Sequence, residues 1–166
     1  YNIAEWAYFN ALPHIMSLTN QDILVWQTAS QLHSSALDWL GDNEREDVFC
    51  WIHYMDVHHP YIPDGNYIES STFVNDWTRH GIGEFTRKAV TEDGMSCTED
   101  ELRDVETAYD LCCKYLSDEI SEFLKSLISE GHFNCEEDLL VLTADHGESF
   151  LPNDHGQMGH KGLWED

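Results

Sequence analysis

Basic side chains are scarce in this chain of 166 residues. Eight Lys and Arg stand against 32 Asp and Glu, which gives a formal net charge of −24 at pH 7. Nucleic acids and anionic membranes would be repelled by such a surface, so the charge argues against both as partners. Carboxylates spread along a whole chain are typical of proteins adapted to concentrated salt, where a Debye length of roughly 3 Å screens their repulsion.

Long apolar runs and paired cysteine motifs are also missing. No run approaches the roughly 18 residues of a membrane span, and no signal peptide is visible. The five cysteines show neither the spacing of a metal site nor a disulfide framework. A hydrophobic content of 42% nevertheless favours a packed core over disorder. We therefore expect a soluble segment, cytoplasmic or extracellular, from an organism that lives in high salt.

Four consecutive apolar residues, Leu139 to Leu142, predict a short strand that is buried on both faces. Asp145 and His146 follow it, and ligands of open α/β sheets collect where strands end. Carboxylate and imidazole are ligands for divalent cations, and Lys161 could meet an anion bound to such a cation. The pattern therefore predicts a metal and oxyanion site, although such an Asp can also cap a turn and such a His can be structural.

A second stretch follows the same logic. An apolar run predicts a strand over residues 48–55, and Asp56, His58 and His59 stand at or just beyond its end. The repetition of an apolar run that leads into an acid and histidines strengthens the prediction of a functional crevice.

The helices are predicted from their caps and periodicity. One helix is expected to begin near Thr19 and to end at Gly41, with His33 at its surface or boundary. A capping box at residues 98–101 opens the longest helix, which Gly131 ends. Residues 61–97 are expected to form a long excursion with short helical pieces, a lid over the crevice. The alternation of helix and strand predicts a parallel sheet with crossover helices.

Several strings from about residue 28 onward occur in an order known from one enzyme family. They are ALDWL at 36–40, FCWIHYMDVHHPY at 49–61, LLVLTADHGE at 139–148 and GHKGLWE at 159–165. They resemble the sulfatases of the alkaline-phosphatase-like superfamily, above all the acidic archaeal-type members. The resemblance implies an α/β sandwich whose central, mostly parallel sheet is flanked by helices. Residues 1–166 would be part of a single such domain, without its upstream nucleophile segment and its downstream part.

The resemblance also implies a set of site residues. Sulfatases bind one divalent metal ion, for which Asp145 and His146 match two of the protein ligands. The family favours Ca²⁺, while the imidazole leaves Mn²⁺ or Mg²⁺ open. His58 matches the His of the family's His-x-Pro string, which contacts the sulfate or the leaving oxygen. Lys161 matches the lysine that binds a sulfate oxygen.

Three further positions fit the family pattern less closely. His160 matches a Gly-His that faces the metal or the substrate in some relatives, and His155 is a weaker candidate. Trp164 replaces the usual Tyr. We count His160 with His58 and Lys161 among the predicted catalytic residues.

This sequence of 166 residues lacks the nucleophile that sulfatases use. It is a formylglycine made from the Cys or Ser of a C-x-P-S-R or S-x-P-S-R string, and no proline of this chain is followed by serine. The resemblance therefore predicts hydrolysis of a small-molecule or carbohydrate sulfate ester only together with an upstream segment. Two alternatives remain. One is a phosphonate or phosphate ester hydrolase or phosphoglycerol transferase of the same superfamily, and the other is a non-catalytic halophilic metal-binding module.

The charge leads to a prediction about salt. In dilute buffer the protein should lose helical structure, and in molar KCl it should regain it, because salt screens the repulsion among carboxylates. Circular dichroism at both salt concentrations measures this. Equal ellipticity and equal melting temperature in the two buffers would show that the acidity has another cause.

Overall fold

The structure, a computed structural model, describes residues 5–10, 27–42, 48–69, 71–92, 96–150 and 158–159, with the backbone alone for 5–10. Its elements are β1 (Glu5–Asn10), α1 (Ala29–Asp42), β2 (Val48–His53), α2 (Gly65–Ile68), α3 (Arg79–Thr91) and α4 (Glu99–Ser129). Two compact units result: residues 1–56 with 116–139, and residues 57–115 with 140–166. Within the described ranges, none of the helices is long and apolar enough to cross a membrane.

The first unit contains a pair of parallel strands. β1 and β2 are aligned so that Glu5 lies opposite Val48 and Asn10 opposite His53. The strand predicted at 48–55 is thus confirmed over its first six residues, which are rich in the aromatic and branched side chains that favour strands. Parallel strands need a long crossover, and α1 lies in that connection. The strand β1 was not predicted from the sequence. The complete sandwich stays a prediction, since the described residues contain this strand pair alone.

Helix α1 starts later than predicted. It begins at Ala29 rather than near Thr19, because Thr28 and Gln31 form an N-terminal cap in which the Thr28 N–H donates to Gln31 Oε1 at 3.0 Å. Residues 11–26, where the predicted start falls, lie outside the described residues. The C-terminal end at Asp42 is within one residue of the predicted Gly41.

His33 on α1 is buried, so its predicted surface or boundary position is wrong. Its ring stacks on Phe123 of α4 with centroids 4.3 Å apart, and its Nε2 is 2.8 Å from the Tyr54 hydroxyl. Burial lowers the pKa of His33 to about 4, and the imidazole is therefore neutral at pH 7. Phe123 in turn belongs to an apolar cluster with Ala36 and Leu127.

In the second unit the predicted long excursion contains a regular helix of 13 residues, α3. The Thr78 side chain accepts a hydrogen bond from the Gly81 N–H at 3.1 Å and caps the helix. Two glycines and several polar residues obscure its apolar spacing in the sequence. The core of this unit combines α3 and α4 with two residues outside regular elements; its members are Tyr61, Ile82, Ala89, Val90, Val105, Ala108, Cys112 and Met158.

Both predicted ends of the longest helix are confirmed. The Thr98 N–H donates to Glu101 Oε2 at 2.8 Å, and the Glu101 N–H donates to Thr98 Oγ1 at 3.2 Å, which is the reciprocal pattern of a capping box. Gly131 follows the helix with a φ of 79°, a conformation that favours glycine. Helix α4 therefore runs over 31 residues.

The prediction of a buried strand at 139–142 is wrong for this structure. These residues are irregular, and Leu139, Val141 and Leu142 are 87%, 70% and 68% exposed. A strand needs hydrogen bonds from a neighbour, and no strand of the described residues pairs with this segment. Four consecutive apolar residues can be recognised in the sequence. Their burial, however, requires a neighbouring strand, which these four residues do not identify.

Asp104 on α4 anchors an irregular loop in the second unit. Its buried carboxylate accepts hydrogen bonds from the Val74 N–H (2.7 Å), the Asn75 N–H (3.1 Å), the Asn75 side-chain amide (2.6 Å) and the Trp77 indole (2.8 Å). Burial alone would raise the pKa of Asp104, but the hydrogen bonds outweigh it and lower the pKa. The Asp104 carboxylate thus accepts hydrogen bonds from a loop that has no helix or strand of its own.

We predict that Asp104→Ala lowers the free energy of unfolding by on the order of 3 kcal/mol, because four donors lose a charged acceptor. Asp100→Ala is the matched control, since Asp100 lies one turn earlier and makes only an exposed pair with Arg103. The depressed pKa means that the contribution of Asp104 is present above about pH 4 and is lost as the pH falls through the folded-state pKa. Chemical denaturation at pH 7 and pH 3 measures both effects, and equal losses for the two variants would contradict the assignment.

Candidate active site

His58 lies on the irregular segment that follows β2. It is half-buried, its Nδ1 is 2.6 Å from the His59 carbonyl oxygen, and its ring stacks on the His59 ring with centroids 4.3 Å apart. A carbonyl oxygen only accepts, so this contact keeps a proton on Nδ1 of His58. His58 Nε2 is then the atom that can exchange a proton with a substrate.

Asp56 has a role in the first unit that the sequence did not indicate. Its Oδ1 accepts a hydrogen bond from the Ala29 N–H at 3.1 Å, at the N-terminus of α1. Burial raises the pKa of Asp56 to about 6, and the nearby Glu119 adds to this. The carboxylate therefore ties the segment after β2 to the start of α1.

Asp145 and His146 are in direct contact. The His146 N–H donates to Asp145 Oδ1 at 3.1 Å, and His146 Nε2 is 3.7 Å from Asp145 Oδ2. The imidazole Nδ1 is 2.8 Å from the Gly147 carbonyl oxygen, which orients the ring. The side chains are 68% and 41% exposed, so this pair is open to a cation from solvent.

The structure does not by itself assemble a metal centre around this pair. Within the described part of the chain, no group of three or more His, Cys, Asp or Glu side chains is arranged to hold a metal ion. An adjacent carboxylate and imidazole nevertheless fit two positions of a divalent cation that takes further ligands from elsewhere. The donor set is therefore compatible with the predicted metal but incomplete.

A short antiparallel bridge follows the pair. The Ser149 N–H donates to the Gly159 carbonyl at 3.3 Å, and the Gly159 N–H donates to the Ser149 carbonyl at 2.8 Å. Gly159 has a φ of 82°, and a Cβ there would come within 3.1 Å of Val90 Cγ1, so this position requires glycine. The bridge joins the segment of Asp145 to the residue before His160.

Three predicted residues, His155, His160 and Lys161, lie outside the described residues. Their roles stay predictions.

The family model described as Sulfatase matches residues 15–166, which is most of the chain. The chain belongs to the sulfatase family. Membership implies an alkaline-phosphatase-like α/β fold and supports sulfate ester hydrolysis in general, and sulfatases generally use a divalent metal. No curated protein and no solved structure matches the chain.

Two side chains that the sequence analysis did not single out, Tyr61 and Glu148, lie close in sequence to the predicted site residues. Tyr61 is fully buried and comes three residues after His58, while Glu148 comes three residues after Asp145. The two side chains interact, although not in the geometry of a full hydrogen bond. Burial, followed by the charge of Glu148, raises the pKa of Tyr61 far above its usual value, so its hydroxyl remains protonated. The sequence signal for these two residues was their position at the end of a string that resembles the sulfatases: Tyr61 ends the string at 49–61, and Glu148 ends the string at 139–148.

Proposed function

We propose that this chain is part of a sulfatase that hydrolyses sulfate esters at a single divalent-metal site, with Asp145 and His146 as two of its ligands. The direct contact of the Asp145 carboxylate with the His146 imidazole, at the end of a family string, carries the proposal. We also propose that residues 1–166 form part of one sulfatase-like domain with the sandwich of the superfamily, because one family match runs over 15–166.

In this proposal His58, Lys161 and His160 have separate roles in cleaving the sulfate ester. In its imidazolium form, with a proton on each ring nitrogen, His58 donates the Nε2 proton to the leaving alkoxide and returns to the neutral form; the alkoxide is a poor leaving group without this proton. Lys161 neutralises a spectator oxygen of the sulfate. Lys161 stands two residues after Gly159 in the sequence. The backbone of Gly159 is hydrogen-bonded to that of Ser149, which belongs to the same segment as Asp145 and His146. Few residues therefore separate Lys161 from that segment. We assign His160, which stands between Gly159 and Lys161 in the sequence, to contact with the metal or the substrate.

The metal supplies charge stabilisation for the oxyanion when it is bound. Asp145 offers the hard oxygen that Ca²⁺ prefers, and the family favours this ion. His146 is a better ligand for Mn²⁺ than for Ca²⁺, so Mn²⁺ or Mg²⁺ are the alternatives to test.

The nucleophile has to come from elsewhere. None of the five cysteines stands in a C-x-P-S-R string, and no serine stands in S-x-P-S-R. The proposal therefore assigns it to an upstream segment beyond the printed residues. The 166 residues alone should then be inactive, because positioning and charge stabilisation do not replace a missing nucleophile.

A second candidate function stays within the superfamily. The imidazole of His146 beside Asp145 is shared with relatives that cleave phosphonate or phosphate esters or transfer phosphoglycerol. An aryl phosphonate ester tested beside an aryl sulfate separates the two candidates. Faster turnover of the phosphonate ester would favour the second.

Asp145→Ala should abolish turnover of an aryl sulfate by the complete enzyme in molar KCl and should weaken its metal binding. The reason is the loss of a charged ligand from a site with few protein donors. Metal content after dialysis and kcat/KM are the two measurements. Glu136→Ala, which removes an exposed carboxylate nine positions earlier in the sequence, is the matched control and should change neither. Full activity of Asp145→Ala after treatment with a chelator would refute the metal assignment.

His58 and His59 provide an internal comparison, since their rings stack on each other. His58→Ala should reduce kcat/KM by at least about 100-fold, as expected for loss of general acid catalysis, while His59→Ala should cost far less. The ratio should shrink for substrates with an acidic leaving alcohol, which needs no proton. Equal losses for the two variants would show that the wrong histidine has been assigned to the leaving group.

A further inference from the structure

The backbone at Tyr61 is fixed to α3 by one buried side chain. The Tyr61 N–H donates to Thr86 Oγ1 at 3.0 Å. The Thr86 hydroxyl lies 3.3 Å from the Tyr61 carbonyl oxygen and 3.1 Å from the Gly83 carbonyl oxygen, to which it can donate. Tyr61 and Thr86 are both fully buried, so water does not compete for these bonds. The segment that carries His58 is therefore held three residues beyond the imidazole.

The Tyr61 ring meets the segment that carries Asp145. Its edge packs against Phe150 with centroids 5.9 Å apart, and against Tyr109 of α4 with centroids 5.4 Å apart. Tyr109 and Phe150 also contact each other at 4.8 Å. Three aromatic rings thus join the segment after His58, helix α4 and the segment after Asp145 in one core.

Glu148 lies near the Tyr61 hydroxyl. The hydroxyl oxygen and Glu148 Oε1 are both shielded from solvent, and the carboxylate is close enough to interact with the phenol. Glu148 Oε1 is also 3.5 Å from the position that a Cβ of Gly159 would occupy. Glu148 therefore lies where the Tyr61 ring, the Ser149–Gly159 bridge and the Asp145 segment come together.

We propose that Tyr61 and Glu148 are positioning residues, whose buried contact sets the separation between His58 and the Asp145–His146 pair. The proposal rests on the proposed function, in which these three residues serve one site. Each partner of the contact stands three residues after a site residue, so the connection from the contact to the chemistry is short on both sides. A displacement of about 1 Å between reacting groups can cost on the order of 100-fold in rate.

A tyrosine that only filled the core would behave differently. Tyr61→Phe keeps the ring and its packing and removes the hydroxyl, and Glu148→Gln keeps the shape and removes the charge. Loss of a purely structural hydroxyl would lower stability without any specific effect on the two site histidines. Tyr109→Phe is the matched control, because it removes a hydroxyl from the neighbouring ring that interacts mainly with Cys113.

The first measurement needs no activity. Imidazole ¹H–¹⁵N spectra of the labelled protein in molar KCl, assigned with His58→Gln and His146→Gln, report the surroundings of the two rings. Tyr61→Phe and Glu148→Gln should each shift the resonances of both His58 and His146, and Tyr109→Phe should leave them in place. Unshifted resonances in the first two variants, or equal shifts in all three, would overturn the proposal.

The second measurement uses turnover of an aryl sulfate by the complete enzyme. Tyr61→Phe and Glu148→Gln should each lower kcat by about 10- to 100-fold while KM changes less than about threefold, and the double variant should be no slower than the worse single one. Losses that multiply in the double variant would overturn the proposal. If Tyr61→Phe does not fold, Glu148→Gln decides alone. If the unaltered enzyme cleaves no sulfate ester, the proposed function fails, while the imidazole spectra still decide whether the contact positions the histidines.

Discussion

The irregular segments of the second unit depend on hydrogen bonds that helices α3 and α4 supply from buried side chains. Asp104 accepts four donors of the loop at 74–77, and Thr86 holds both backbone groups of Tyr61. Backbone groups in a core must be bonded, and segments without a strand or helix of their own find few other partners. The position of His58, just before Tyr61, is a consequence of this constraint.

Three ion pairs between basic and acidic side chains of the described residues contribute little to stability. They are Arg87–Glu84, Arg103–Asp100 and Lys125–Glu122, and each is exposed and lies within a single helix. Such pairs contribute at most a few tenths of a kcal/mol each. In the described residues, burial and internal hydrogen bonds therefore contribute more to stability than these pairs do, and the charge of −24 is expected to make that stability sensitive to salt.

The proposed site combines exposed side chains with shielded ones. Asp145 and His146 are exposed and held by contacts within their own segment, which leaves them open to a cation. Tyr61 and Glu148 are the shielded counterparts, each three residues further along the chain. An exposed pair of ligands close in sequence to a buried contact combines access for substrate with a fixed position, which is what charge stabilisation of a transition state needs.

The sequence by itself determined the features that depend on neighbouring residues: both ends of α4, the strand at β2 and the strings that place the chain among the sulfatases. Capping boxes and C-terminal glycines act within a few residues, so they can be recognised without a fold. The tertiary structure alone decided the burial of His33, the exposure of 139–142 and the contact between Tyr61 and Glu148. Tyr61 and Glu148 are 87 positions apart, and a contact over that separation arises from packing, which no local pattern encodes.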